Sequence, residues 1–211
     1  MRRFLSFLNK GDNAAPLAKV ISAPAPPPLP ALCINAERLK LRPPQMQDWQ
    51  QWRDVRARNK DILTPFEPAW PDKCLTKGFW AARQLKLYKE WHQDKRYAFL
   101  IIDSQTDNLI GGININNVNR KKKGGYATFG YWLDQDYHGR GFMQEALSAL
   151  CGFCFTQLNL QTLEIACLPH NHKSIAAAER LGFAKKGLKR RYLNINGKRR
   201  DHVIYWKSRA D

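Results

Sequence analysis

Two glycines and an arginine, in the segment "YHGRGFMQEAL" at 137–147, are the residues of this chain best suited to binding chemistry. They lie between a strand-like run and a helix-like run. At a helix N-terminus, unpaired N–H groups and the positive end of the helix dipole bind anions, phosphate above all. Arg140 adds a cation, and Gly139 and Gly141 let a ligand approach the backbone closely. The segment therefore predicts a phosphate site, although an ordinary strand–helix turn also fits the tripeptide.

Two common phosphate motifs do not match this segment. Gln144 replaces the third glycine of the dinucleotide-binding fingerprint, and no Gly-Lys-Ser/Thr follows as in a P-loop. A phosphate-binding architecture of another kind is expected.

The hydrophobic patterns on either side predict the elements that position this loop. Before it come two Trp-marked amphipathic helices and three strands, "YAFLII" (97–102), "NLIGGINI" (108–115) and "YATFGYWL" (126–133). After it come a helix with a buried stripe from Met143 to Cys154, a strand at 162–168, a helix at 172–181 and a strand from Phe183. Asn196-Gly197 predicts a type I′ hairpin turn near the end. This order predicts a mixed α/β sheet with helices on both faces.

The net charge of +17 is the strongest signal in the composition. Basic residues cluster at 120–123 and at 185–200, where eight of them occur without an acidic residue. Such a field attracts RNA, acidic proteins or a phosphorylated cofactor, although a solvated surface also accounts for it. No apolar run approaches the ~20 residues of a transmembrane helix. Five cysteines without a disulfide pattern favour a reducing cytoplasm over a secreted scaffold.

Proline usage divides the chain into a tail and a domain. Six of the twelve prolines lie between Pro16 and Pro30. Because proline removes backbone donors and holds polyproline II geometry, residues 1–35 are predicted to be an extended, poorly packed tail. The globular domain is expected at 36–211.

Two motifs in order carry a resemblance to a known family. The segment from His138 to Met143 resembles the Arg/Gln-x-x-Gly-x-Gly/Ala signature of the GCN5-related N-acetyltransferases (GNAT), and "PHNHKSIAAAERLGF" at 169–183 resembles their following strand–helix hallmark. With "YLNINGKRRDHVIY" at 192–205, the pattern is similar to the branch that acetylates the N-terminal alanine of ribosomal proteins. It covers roughly residues 36–206. His138 and Met143 depart from the usual residues, but main-chain N–H groups supply the phosphate contacts.

The resemblance implies a fold, a co-substrate and a set of binding residues. The fold is α/β (α+β), with a mixed, mostly antiparallel sheet and helices on both faces. The co-substrate is acetyl-CoA, and no metal is expected. The glycine loop would hold the pyrophosphate, a strand would pair with the pantetheine arm, and Asn171, which also reads as a helix N-cap, would contact that arm. The binding residues so implied are Trp132, Leu133, His138, Gly139, Arg140, Gly141, Phe142, Met143, Gln144 and Asn171.

For catalysis the resemblance implies direct transfer from a thioester to an amine, with both substrates bound. A backbone N–H near Tyr131 would stabilise the oxyanion, and Ser174 would protonate the leaving thiolate. Glu67, in a Pro-braced loop, would lie near the acceptor amine. Many relatives carry a glutamate base where this chain has Thr128 or Phe129, so the base must come from elsewhere. Ser174 and Glu67 also read as an ordinary helix serine and a surface glutamate.

The acceptor implied by the branch is a protein N-terminal α-amine, alanine or serine of a ribosomal protein. At pH 7 roughly a tenth of α-amines (pKa ~7.7–8.0) are neutral, against about one lysine in 2,500 (pKa ~10.4). An enzyme without a strong base therefore suits N-termini. Two alternatives remain at this stage: a GNAT transferase for a small-molecule amine, which the positive charge disfavours, and a non-catalytic RNA- or ribosome-binding protein.

Several residues could suggest a metal site or a catalytic pair, but their context does not support that chemistry. Cys151 and Cys154 lie on the buried stripe and have no second cysteine pair to complete a zinc site. The histidines at 170 and 172 lack acidic or cysteine partners. Asp201 and His202 are adjacent on a strand, so they point to opposite faces and cannot act as a dyad.

Overall fold

A computed structural model describes residues 29–210 of the chain. The strands are β1 (Ile34–Asn35), β2 (Leu39–Arg42), β3 (Tyr97–Asp103), β4 (Leu109–Asn119), β5 (Tyr126–Leu133), β6 (Thr162–Cys167), β7 (Ala184–Ile195) and β8 (Lys198–Ser208). The helices are α1 (Trp49–Arg58), α2 (Lys60–Leu63), α3 (Lys77–His92), α4 (Phe142–Thr156) and α5 (His172–Arg180). The strands and helices predicted around the glycine loop are confirmed, with shifts at their ends.

One mixed sheet organises the described residues. Its eight strands run in the order β1-β2-β3-β4-β5-β6-β8-β7, and every neighbouring pair is antiparallel except β5 and β6. A parallel pair needs a crossover, which α4 supplies. Residues of α4 and α5 pack in the core on one face, whereas α1 and α3 pack on the other. The predicted fold class is confirmed.

The buried stripe of α4 fixes the glycine loop to the sheet. Ala146, Leu147, Leu150 and Cys154 are fully buried against the strands, as the helical spacing predicts. Cys151 lies on the same stripe, and burial raises the pKa of its thiol to about 12. These cysteines are therefore packing residues.

The parallel pair of strands separates part-way along its length. Strand β5 pairs with β6 only over Tyr126–Phe129, opposite Thr162–Ile165. The rest of β5 therefore has no strand partner on that side within the described residues. Side chains alternate along it: Tyr131 packs towards α4 and α5, whereas Trp132 is buried with α1 and α3. Beyond Phe129 a gap therefore opens between β5 and β6. It leaves backbone groups of β5 accessible to a ligand, next to the glycine loop.

The two ends of the domain bear on the remaining sequence predictions. Asn196 and Gly197 both have positive φ, 45° and 78°, as a type I′ hairpin requires. At the other end, Leu29 is buried beside Leu87, and β1 pairs with β2 before position 36. Most of the predicted tail (1–28) lies outside the described residues, so the boundary stays a prediction. Within residues 29–210, no helix has the length and apolar character to cross a bilayer.

Candidate active site

The glycine loop opens directly into the first turn of α4. Gly139 and Gly141 have φ of +74° and +80°, the left-handed region that favours glycine, and Gly141 is the N-cap of the helix. A Cβ at Gly139 would meet no atom within 4 Å, so the loop is open on that side. The first helical bond runs from Glu145 N–H to the carbonyl of Gly141, which leaves the preceding amides of the turn free for a ligand.

Three cations surround this loop, of which the sequence indicated only Arg140. Arg38 donates to the Arg140 carbonyl at 3.1 Å and is held by Glu145, whose carboxylate accepts from its backbone N–H at 2.6 Å and its Nε at 2.8 Å. Lys173, in the first turn of α5, approaches the loop from the other side through His138. Helix dipole and cations together favour a phosphate here.

His138 has a positioning role in the loop. Its Nδ1 lies 2.9 Å from the Lys173 ammonium, which can only donate, and its Nε2 lies 3.1 Å from the carbonyl of Leu133, which can only accept. With Nδ1 as acceptor and Nε2 as donor, the imidazole carries its proton on Nε2. His138 thereby joins the end of β5 to the start of α5.

An open groove of about 540 Å³ continues from the loop along α4. Its walls come from the β1–β2 turn (Asn35–Arg38), from the first turns of α4 and from Leu181. A volume of this size lies within the range of small-molecule and cofactor sites, ~300–1,000 Å³.

A cluster of hydroxyl and thiol groups lies at the gap between β5 and β6. The Tyr131 hydroxyl is 2.7 Å from Ser174 Oγ, which is 3.1 Å from Cys167 Sγ. Burial raises the pKa of Tyr131 well above its ordinary value and that of Cys167 to about 11, so both groups keep their protons at neutral pH. Asn171 caps α5 through a hydrogen bond from Ser174 N–H to its side chain, as an N-cap should.

Glu67 is held by two neighbours on the opposite face of the sheet. Arg56 donates to both of its carboxylate oxygens, at 2.8 and 2.5 Å, and Trp70 Nε1 donates at 2.8 Å. Its backbone carbonyl accepts from Asn196 N–H at 2.8 Å, which ties this loop to the β7–β8 hairpin. To accept a proton from the acceptor amine, the Glu67 carboxylate would have to give up part of its ion pair with Arg56.

Comparison with known proteins decides the family. Residues 38–184 match the family model of the acetyltransferase (GNAT) domain. The chain belongs to the GNAT family. It is an acyltransferase, and the resemblance seen in the sequence is confirmed.

Several GNAT relatives match over most of their length. The ribosomal protein uS5-alanine N-acetyltransferase of Escherichia coli K12 is 32% identical over 180 residues, which are 83% of this chain and 90% of that protein. The solved ribosomal-protein-S5-alanine acetyltransferase of Vibrio fischeri has a TM-score of 0.78 at 28% identity, covering 85% of this chain and 98% of that one. RimJ of Mycobacterium smegmatis, solved with CoA-disulfide, has a TM-score of 0.80 at 26% identity, covering 85% and 88%.

The GNAT structure brings the predicted residues into two groups. The glycine loop, the end of β5, Asn171 and Ser174 converge where the sheet parts. The Glu67 carboxylate is held by Arg56 and Trp70, and the ring of the preceding Phe66 lies 5.8 Å from that of His170. Asp201 and His202 make separate bonds, Asp201 accepting from Arg191 N–H and His202 bonding to the Arg200 carbonyl. Within residues 29–210 no cluster of His, Cys, Asp and Glu is arranged to hold a metal ion.

Asp134 is a site-supporting residue that the sequence did not reveal. It is fully buried where β5 enters the loop, bonded to Arg58 and, at 2.8 Å, to Asn59 Nδ2. Asn59 Oδ1 in turn accepts from Gln135 N–H at 2.9 Å. Burial alone would raise the pKa of Asp134, but the hydrogen bonds from Arg58 and Asn59 outweigh it, and the pKa falls below its ordinary value. The end of α1 therefore fixes the start of the glycine loop.

We expect Asp134→Asn to lower the free energy of unfolding by about 2–4 kcal/mol at pH 7, because a buried, charge-assisted network loses its acceptor. A carboxyl whose folded-state pKa is depressed stabilises the fold above its unfolded-state pKa, near 3.8, and stops doing so as the pH falls through the lower folded-state value. The difference in free energy of unfolding between wild type and variant should therefore be constant near pH 7 and should disappear in acid, below about pH 4. Urea unfolding across pH measures it.

Asp136→Asn is the matched control, since Asp136 is exposed two positions along the same loop. It should leave the free energy of unfolding unchanged within about 0.5 kcal/mol. An Asp134→Asn protein as stable as wild type at pH 7 would show that the network does not hold the loop.

Proposed function

We propose that this GNAT chain is an acetyl-CoA-dependent N-acetyltransferase that acts on a protein N-terminal α-amine, alanine or serine of a ribosomal protein. The observation that carries the proposal is the arrangement of three features. The glycine loop at the start of α4, the gap between β5 and β6, and the Tyr131–Ser174 hydroxyl pair follow one another along the site that acetyl-CoA would occupy. Two relatives that match most of the chain, from Escherichia coli and Vibrio fischeri, are named as alanine acetyltransferases of a ribosomal protein, which supports the same acceptor class.

The residues present fit acetyl-CoA. Free amides of the first turn of α4, with Arg38, Arg140 and Lys173 around them, would hold a pyrophosphate, and the adjoining groove has room for the nucleotide end. The unpaired edge of β5 at Tyr131–Leu133 would pair with the pantetheine arm. When bound, acetyl-CoA supplies an activated acetyl thioester. Trp132 and Leu133 are buried, so they would contribute their backbone groups.

Ser174 is placed to donate a proton to a leaving thiolate. Tyr131 and Cys167 both stay protonated, so both can donate to Ser174 Oγ, which leaves the serine proton free for a third partner. A backbone N–H of the β5 edge would stabilise the developing oxyanion. Transfer is direct in a ternary complex: the amine nitrogen bonds to the acetyl carbon and the carbon–sulfur bond breaks. The thiolate takes the Ser174 proton, and the proton lost by the nitrogen returns to Ser174 through water.

The acceptor preference provides the test of this function. Given a peptide with N-terminal alanine and an internal lysine, the enzyme should acetylate the α-amine about 100- to 1,000-fold faster than the ε-amine, following their neutral fractions at pH 7. Mass spectrometry locates the acetyl group, and the same peptide with a blocked N-terminus is the control. Faster ε-acetylation would contradict the proposal. Comparing ribosomal-protein N-termini with and without this protein then identifies the substrate.

A basic hairpin favours acceptors presented beside RNA. Within residues 185–200 of this hairpin, seven basic side chains are exposed, and an eighth, Lys189, is partly exposed beside buried Glu164. The exposed ones are Lys185, Lys186, Arg190, Arg191, Lys198, Arg199 and Arg200. Binding to ribosomal RNA should weaken steeply with salt, whereas acetylation of a short peptide should not. Transfer to small amines alone, with none to a peptide N-terminus, would instead favour the small-molecule transferase.

A further inference from the structure

A cavity of about 120 Å³ lies between α1, α3 and the loop that carries Glu67. Aromatic side chains form much of its wall, and two arginines, Arg56 from α1 and Arg83 from α3, line it. The Arg56 guanidinium also lies 5.1 Å from the ring of Trp132, next in sequence to Tyr131. Trp132 packs in the same cluster as Trp52 and Trp70 of the cavity wall, so the cavity lies on the α1–α3 face of the sheet, beside the end of β5.

Both arginines have an unused donor. The Nε atoms of Arg56 and Arg83 are buried, and neither has a hydrogen-bond partner within residues 29–210. Arg56 is otherwise occupied, because its two terminal nitrogens hold Glu67. Arg83 forms no ion pair in the described part of the chain, and its guanidinium lies 5.9 Å from the Trp52 ring. The Arg83 side chain as a whole is half-buried, but its buried Nε leaves a donor in the cavity wall without an acceptor, and an anion in the cavity would supply one.

The surrounding charges strengthen that conclusion. Burial, together with the positive charges of Arg96 and Arg56, lowers the pKa of Arg83 to about 9. The Glu67 and Glu90 carboxylates favour the charged form of Arg83, but burial outweighs them. Glu67 is bonded to Arg56 and Trp70, Glu90 is paired with Arg96, and neither is bonded to Arg83. Burial raises the pKa of Cys74, so this wall thiol stays neutral. An incoming anion would thus meet a net positive charge in apolar surroundings, where ion pairing is strong.

We propose that this cavity binds the side-chain carboxylate of an aspartate or glutamate near the N-terminus of the acceptor polypeptide, so that the enzyme reads an acidic residue as well as the terminal amine. The inference rests on the proposed function. The volume equals that of about four water molecules, which suits a carboxyl group better than a larger phosphorylated ligand. The Arg56 guanidinium in the cavity wall lies 5.1 Å from the ring of Trp132, on the β5 edge where the thioester would lie. Because an extended chain advances ~3.3–3.6 Å per residue, the acidic residue should lie within the first few positions.

The test uses pairs of short peptides that begin with alanine and differ only by glutamate or glutamine at one of positions two to six. For the wild-type enzyme, we expect kcat/KM to be about 10- to 100-fold higher for the glutamate member at one position, mainly through KM. Arg83→Met should bring both members of that pair to the same kcat/KM. Lys86→Met removes the same charge from an exposed position of α3 and should keep the preference.

A second readout separates binding from folding. Because Arg83 lacks a partner, Arg83→Met should fold with a Tm at least as high as wild type, while sodium acetate at constant ionic strength raises the Tm of wild type only. Equal use of both peptides by wild type would overturn the inference and leave the α-amine activity standing. Absence of transfer to every N-terminus would instead refute the proposed function. An Arg83→Met enzyme that keeps the glutamate preference would also overturn the inference.

Discussion

Replacing Gly141 by glutamate should weaken acetyl-CoA binding by about 100-fold or more, measured by isothermal titration calorimetry. Two effects add. A side chain in the left-handed region costs about 1–2 kcal/mol, and a carboxylate at the N-cap meets the phosphate that the free amides of α4 would bind. The nearest atom to the new Cβ is Nη2 of Arg38, at 3.5 Å, so the added carboxylate would also compete with the phosphate for that cation.

Two further variants separate the effect of the added carboxylate from that of backbone strain at position 141 and from a general loss of folding. Gly141→Ala carries the backbone cost alone. The free loop should relax out of the left-handed conformation, and binding would have to restore it, so about a tenfold loss of affinity is expected. Gly152→Glu adds the same carboxylate on the same helix, at an exposed position where a Cβ meets no atom within 4 Å, and should leave binding intact. A Gly141→Glu enzyme that still released the heat of acetyl-CoA binding at wild-type affinity would show that the phosphate site lies elsewhere.

Removing the Ser174 hydroxyl should lower kcat by about 100-fold, because general acid catalysis contributes ~10²–10⁴. Affinity for CoA should change little, since the Ser174 side chain is bonded to Tyr131 and Cys167 and its backbone N–H keeps the Asn171 cap. Steady-state kinetics of Ser174→Ala with an N-terminal alanine peptide, alongside calorimetry with CoA, measures both quantities.

Tyr131→Phe tests whether the two hydroxyls work together. If Tyr131 orients the serine proton, the single change should lower kcat by about tenfold, and adding it to Ser174→Ala should cost nothing further. Cys167→Ala is the matched control on the other side of Ser174 and should have a smaller effect, because a thiol is a weak donor. Full activity in Ser174→Ala would show that water or another group, and not Ser174, protonates the leaving thiolate.

The carboxylate of Glu67 shows why ion-pair partners cannot be predicted from the sequence alone. Its loop was recognisable from the flanking prolines, and the nearby hairpin from Asn196-Gly197, because proline and glycine act on the local backbone. That Arg56 binds the carboxylate, or that Arg83 lies beside it without a partner, depends on how α1 and α3 pack. No local pattern contains that information.

The sequence by itself determined the elements and the position of the glycine loop. The apolar spacing of α4, the alternation along β5 and the two glycines act within a few residues, where backbone sterics and burial of one face decide the outcome. Only the tertiary structure decided what surrounds the loop. The contacts of Arg38 with Glu145 and of Asp134 with Arg58 join residues far apart in the chain, and the gap beside β5 arises from strand pairing. Such contacts form only after the sheet and helices have packed, because packing brings distant side chains within bonding distance.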